Sequence, residues 1–324
     1  MSKSLLRRPA FRIGITAGAL TGLMAADAHP VLAHGAAAVP LTLASLLTSW
    51  SDDPLTWLGV MVGAIGYLAA VLLVNRRHPG SHVPRRRVAA WLTGMAVLAV
   101  ALDSAVDVYS TSLLTVHMVQ HMLLAMVVPP LLALGAPVTL ALRLASPAAR
   151  RGFFLPLLHS RASRVIAAPV VGWVALTVLL AGSHFSPLFN AALEDPLVHT
   201  GEHLLYLGAG MLFWWPVVGA DPAPRRFSYP GRLIYLGLQM PVHAVAGLAI
   251  YFAPQVLYAH YLAAARPWGP TPLADQQLAG ALMWGVGDTV LIAAIVLIFQ
   301  AWLQAEERRA RRLDRRSKPI ESAR

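Results

Sequence analysis

Along this chain run about seven apolar stretches, each close to the ~20 residues an α-helix needs to cross the hydrocarbon core of a bilayer. They fall at about 55–74, 88–106, 113–134, 165–183, 197–219, 233–252 and 278–302. Lipid offers no water to a backbone N–H or C=O, so a spanning segment must close its hydrogen bonds within a helix or a barrel. Runs this long without period-two alternation favour the helix. The expected fold class is therefore all-α, a polytopic membrane helical bundle of about seven transmembrane helices. Charge agrees: 13% of the 324 residues are charged, where a soluble domain carries about 25%.

A net charge of +11 raises the question of nucleic acid, and the distribution of the charge answers it. Arg76, Arg77, Arg85, Arg86, Arg87, Arg143, Arg150, Arg151, Arg161, Arg164, Arg225, Arg226 and Arg232 fall in alternate connections, as does the tail from Arg308 to Arg324. The remaining connections hold only Arg266. This is the positive-inside pattern, with residue 50 outside and the C-terminus in the cytoplasm. The arginines read topology and membrane lipid, and no nucleic-acid partner is expected. The basic stretch "RLASPAARRGFFLPLLHSRASR" suits a short amphipathic helix at the interface.

Lys3, Arg7, Arg8 and Arg12 precede "IGITAGALTGLMAA", and small-residue sites follow at Ala26-Asp27-Ala28 and Val31-Leu32-Ala33. Residues 1–33 are expected to be a secretory signal peptide, the alternative being an uncleaved helix. Residues 34–304 would then form the membrane domain and 305–324 a basic cytoplasmic tail. The bacterial cytoplasmic (inner) membrane is the expected location, with multiple passes.

Cysteine is absent, so disulfides, thiolate metal sites and iron–sulfur clusters are excluded, and soft-metal chemistry falls to histidine and methionine. Of the twelve histidines, His117, His121, His184, His199, His203 and His243 map to the outer half of the bundle or its edge. His117 and His121 are four residues apart, as are His199 and His203, so each pair shares a helix face and both rings can reach one ion. These six are the expected metal ligands, facing the periplasm. Met118 and Met122 form a second stripe beside the first pair, and imidazole with thioether favours copper. Met240 and Met283 lie in later spans. Asp103, Asp107, Glu202 and Asp288 are expected to orient the imidazoles through hydrogen bonds. Pro129, Pro130 and Pro241 should kink or break the spans that bear histidines.

Three segments in order, "HMVQHMLLAMVVPPLLALGAP", "HTGEHLLYLGAGMLFWWPVVG" and "DQQLAGALMW", resemble the CtaG family of multispanning cytochrome c oxidase assembly factors. The likeness runs from about residue 50 to 302. His117, His121, His199, His203, Asp275 and Gln276 occupy the positions that match its motifs. The resemblance implies a non-enzymatic role in oxidase biogenesis and help in providing copper. Cytochrome c oxidase subunits would be the partners, with a periplasmic copper chaperone as a further one. Other readings of the same residues are a haem-binding membrane cytochrome, a copper transporter, and a metallohydrolase built on "HTGEH".

Overall fold

The computed structural model describes residues 39–321 apart from 52, 225–226 and 264–265, with side chains described to residue 314. The expected signal peptide at 1–33 lies outside the described residues. Helices follow one another as α1 (Leu43–Thr48), α2 (Pro54–Arg77), α3 (Arg85–Asp103), α4 (Ala105–Ser110), α5 (Leu114–Met122), α6 (Val128–Leu134) and α7 (Pro137–Leu144). Short pieces come next: α8 (Pro147–Ala149), α9 (Leu155–His159) and α10 (Arg161–Ile166). The second half holds α11 (Pro169–His184), α12 (Leu188–Glu194), α13 (Pro196–Val218), α14 (Tyr229–Tyr251), α15 (Ala259–Ala263) and α16 (Pro272–Glu321). No strand occurs among the described residues, so the all-helical expectation holds.

Four helical segments are long and apolar enough to cross a membrane: Pro54–Arg77, Leu114–Leu144, Tyr229–Tyr251 and Pro272–Asp314. A fifth results if α11 and α12, bent by 72° at their junction, count as one span. Of the remaining long helices, α3 opens on Arg85, Arg86 and Arg87, and α13 carries His199, Glu202 and His203 in its first turns. The outer surface is apolar, with Leu55, Leu58, Val62, Ile65 and Leu72 of α2 all exposed. The interior is where the polar residues gather, as expected where lipid is the solvent.

Helix ends are fixed by side chains reaching orphan N–H groups. Asp53 starts α2 by accepting from Leu55 N–H at 3.0 Å, and Asp195 starts α13 by accepting from Leu197 N–H at 2.8 Å. Asp221 reaches across to cap α7, accepting from Val138 N–H at 3.2 Å and Thr139 N–H at 2.6 Å. Basic residues Arg76 and Arg77 close α2, where the helix dipole favours cations.

Between α5 and α6 the chain forms a π-helical turn, Leu123–Val127, and the span continues. Proline explains it. Pro129 and Pro130 carry no N–H, so Ala125 and Met126 lose their helical donors, and Val128 N–H instead bonds to Leu123 O. The expected break at these prolines is thus a widened turn. Trp214 of α13 donates its indole N–H to the released Ala125 carbonyl at 3.1 Å. Gly210, one turn earlier, lets α13 lie against this bulge: a Cβ there would stand 2.7 Å from both Ala125 O and Pro129 Cγ. A second close crossing joins α14 to α16, where Gly247 and Gly280 meet backbone to backbone.

Candidate metal centre

The site begins with the placement of α5. The Asp275 carboxylate, from the first turn of α16, accepts from Leu114 N–H at 2.8 Å and from Thr115 N–H at 3.2 Å. Arg266 holds the same carboxylate at 3.4 Å, both side chains being buried. Gln276 beside it accepts from Leu257 N–H at 2.7 Å and donates to Gln255 O at 3.1 Å. These two positions matched by the family motif therefore hold helix ends and the stretch just after α14 in place. They are not metal ligands.

From that anchored start, His117 and His121 project one turn apart, ring centroids 4.3 Å apart and edge to face. They face α13. Glu202 Oε2 lies 3.8 Å from His117 Nε2 and 3.6 Å from His121 Nε2. Each of the three residues offers a ligand atom lying within 4.8 Å of the other two. A metal bound at ~2.1 Å to nitrogen and oxygen at a tetrahedral angle would space its ligand atoms at about 3.4 Å. The two histidine–Glu202 gaps are a few tenths of an ångström wider.

Burial makes this arrangement chemically incomplete. His117, His121 and Glu202 are each 2% exposed or less. Both ring nitrogens of each histidine and both carboxylate oxygens lack a hydrogen-bond partner. A buried polar atom left unsatisfied costs about 1–3 kcal/mol, and a buried carboxylate without a cation costs more. No lysine or arginine pairs with Glu202 among the described residues. A metal cation would satisfy the donors and balance the charge together.

Aromatic rings wall the cluster. Tyr206, one turn along α13, stacks on His121 at 3.9 Å and 19°. Phe189 of α12 lies 4.9 Å from His117 and 5.5 Å from His184, with Tyr258 behind it at 4.2 Å. Burial raises the Tyr258 phenol well above its ordinary range, which keeps that wall neutral.

The other expected ligands fall into layers around this group. His199 and His203 sit 4.1 Å apart, and His199 lies 5.6 Å from His117, on the side toward the start of α13. His184 lies 5.7 Å from His121 and places Nε2 3.3 Å from Met118 Sδ. His243 of α14 and Met122 both face Gly287: a Cβ at that glycine would come within 3.5 Å of the His243 ring and 3.6 Å of Met122 Sδ. Of the four carboxylates expected to orient the imidazoles, Glu202 stands in the group itself as a third ligand candidate, and the three aspartates make other contacts. Asp103 accepts a long hydrogen bond from Ser51, and Asp107 accepts from Gln120 Nε2 at 2.9 Å. Asp288 is half-buried on α16 and is not among the residues whose ligand atoms converge. His260, not one of the six expected ligands, rests 2.9 Å from Thr111 O in the connection between α4 and α5.

Sequence reasoning missed Phe189 and Tyr206. Tyr206 was findable, since it lies four residues after Glu202 and shares its face. Phe189 had no comparable signal, because only the bend between α11 and α12 brings it over the histidines.

Comparison with known proteins gives a family. The family described as cytochrome c oxidase caa3 assembly factor (Caa3_CtaG) matches residues 65–305. Uncharacterized proteins of Mycobacterium bovis and Mycobacterium tuberculosis are each 36% identical over 283 residues, covering 85% of this chain and 42% of theirs. An uncharacterized protein of Mycobacterium leprae is 33% identical over 287 residues, covering 85% of this chain and 43% of its own. The chain thus spans less than half the length of these curated relatives. No solved structure matches it. The family match spans both histidine pairs, Glu202, and the Asp275–Gln276 clasp, and it identifies the chain as a member of the Caa3_CtaG family.

Proposed function

We propose that this protein is a membrane-embedded assembly factor for cytochrome c oxidase, which binds copper at His117, His121 and Glu202 and passes it to an oxidase subunit in the same membrane. The observation that carries this reading is the buried Glu202 carboxylate, set 3.6–3.8 Å from two imidazoles, with no hydrogen bond and no lysine or arginine beside it. The family description supplies the oxidase, and the nitrogen and sulfur donors around the group suit copper as cargo.

In this reading α2, α3, α5–α6, α11, α13, α14 and α16 are seven spans. The arginine-bearing connections lie in the cytoplasm, so the histidine end faces the periplasm of a bacterial inner membrane. His117 and His121 supply neutral nitrogen donors, and Glu202 supplies the negative charge that retains a cation in a dry site. Phe189, Tyr206 and Tyr258 exclude water, so release requires the α12 side of the site to open.

Two other readings fit the geometry less well. A macrocycle held by histidines of two helices needs their ring nitrogens to face each other across it, whereas the His117 and His199 rings lie stacked at 25° with centroids 5.6 Å apart. A peptidase built on "HTGEH" needs Glu202 beside the His199 and His203 metal, whereas its carboxylate approaches the histidines of α5.

Complementation in cells tests the role. In cells lacking the protein, cytochrome c oxidase activity and the copper content of the isolated oxidase should both fall. Wild type should restore them and His117→Ala/His121→Ala should not, at equal protein level in the membrane. Full restoration by the double variant would remove the metal from the account.

A further inference from the structure

We infer that the protein holds a second, softer metal position next to the first, formed by His184 Nε2 and Met118 Sδ and selective for copper(I). This inference rests on the copper reading above and adds a distinct site with its own donors.

The argument turns on which nitrogen of His184 carries the proton. Nδ1 stands 2.9 Å from the carbonyl oxygen of Leu180, one turn back in α11. A carbonyl only accepts, so that contact places the proton on Nδ1 and leaves the lone pair of a neutral ring on Nε2. Ser183 Oγ at 3.0 Å and Tyr206 OH at 3.2 Å crowd the same nitrogen, and they bond to each other at 2.5 Å. The ring is thus oriented from behind, as the imidazole of a metal ligand is oriented by its neighbours.

The bare Nε2 then points at Met118 Sδ, 3.3 Å away. A thioether has no proton to give. Two lone-pair donors face each other in a site where His184 is 3% and Met118 1% exposed. Without a cation between them the contact is unfavourable. With metal–nitrogen and metal–sulfur bonds of ~2.0 and ~2.3 Å, a shared ion at a tetrahedral angle spaces these donors at about 3.5 Å, close to the separation observed. Thioether and imidazole without carboxylate favour a soft monovalent ion such as copper(I) over zinc.

Helical spacing connects the two positions. His117 and His121 face Glu202, while Met118, one residue on from His117, faces His184. His121 and His184 rings are 5.7 Å apart, so an ion changing site moves only between neighbouring rings. The His–His–Glu group offers charge and nitrogen, and the His–Met pair offers a softer, uncharged alternative.

The test uses the full-length protein in detergent, loaded with copper(I) alone under reducing conditions, then desalted. Copper is measured per chain and by X-ray absorption for a copper–sulfur shell. Wild type should retain about two ions and show sulfur scattering. Met118→Leu, which conserves volume, should lose one ion and the sulfur shell while keeping the wild-type content of zinc(II) after zinc loading. His117→Ala/His121→Ala should lose the other ion and keep the sulfur shell. Unchanged copper and sulfur signal in Met118→Leu would overturn the second site, meaning that Nε2–H simply donates to sulfur, while loss in the double variant would leave the first site standing. Loss of all copper in Met118→Leu with wild-type zinc would also overturn two separate positions. No copper in wild type would overturn both.

Discussion

Trp214 donates its indole N–H to the carbonyl oxygen of Ala125 at 3.1 Å, and this is the carbonyl for which Pro129 has no N–H to offer. The bond ties α13, which carries Glu202, to the turn that follows His121 and Met122. It converts a defect in one helix into the contact that sets its register against another.

Trp214→Phe should therefore leave a buried acceptor unsatisfied and cost about 1–3 kcal/mol. Gly210→Ala should cost more, because its Cβ meets backbone and a proline ring at 2.7 Å, neither of which can rotate away. Thermal unfolding of both variants in one detergent checks this, with Gly210→Ala lower than Trp214→Phe and both below wild type. A wild-type midpoint for Gly210→Ala would refute the close packing.

The Arg266–Asp275 pair is buried at the histidine-bearing end of the bundle and also caps α5. Asp275→Ala strands the guanidinium and frees the start of α5, a loss of about 3–5 kcal/mol. Adding Arg266→Met to that variant should recover part of it. A double-mutant cycle on the unfolding midpoint measures the coupling, which should be well above the scatter of independent sites. Additive losses would mean that the two residues act separately.

Glu202→Gln separates charge from shape. Without metal, removing a buried carboxylate that no lysine or arginine pairs should leave stability equal or higher, since its desolvation is unfavourable. With metal the order should reverse. An ion at a hundred times its Kd stabilises the wild-type fold by ~2.7 kcal/mol, and the variant should lose most of that shift. Melting curves with and without copper report both signs. A metal-induced shift as large in the variant as in wild type would show that Glu202 is not a ligand.

Much of this fold was legible because lipid imposes strong rules. Apolar runs of about twenty residues point to spanning helices, and four helical segments, or five with the bent α11–α12 pair, are long and apolar enough to cross. The pairs His117/His121 and His199/His203 were legible because a spacing of four places two rings on one face. Among the carboxylates Glu202 was legible inside "HTGEH", and the aspartates were not. Asp103 and Asp107 look like partners of the histidines from helix ends alone, but the corner at Ser104 turns them toward Ser51 and Gln120. Asp275 and Gln276 match the motif without a role legible in sequence, because the backbone groups they hold are 161 and 19 positions away. The π-helical turn was hidden for a related reason. Proline predicts that hydrogen bonds are lost, and only the neighbouring helix shows that Trp214 replaces one.

The central claim is that His117 and His121 share one buried ion with Glu202. Copper and zinc counted per chain by elemental analysis, in protein purified from membranes without chelator, test it most directly. The account predicts bound metal in wild type and a loss of one ion per chain in the His117→Ala/His121→Ala protein, at an unfolding midpoint showing that the bundle is intact. Equal metal content in the two proteins would contradict it.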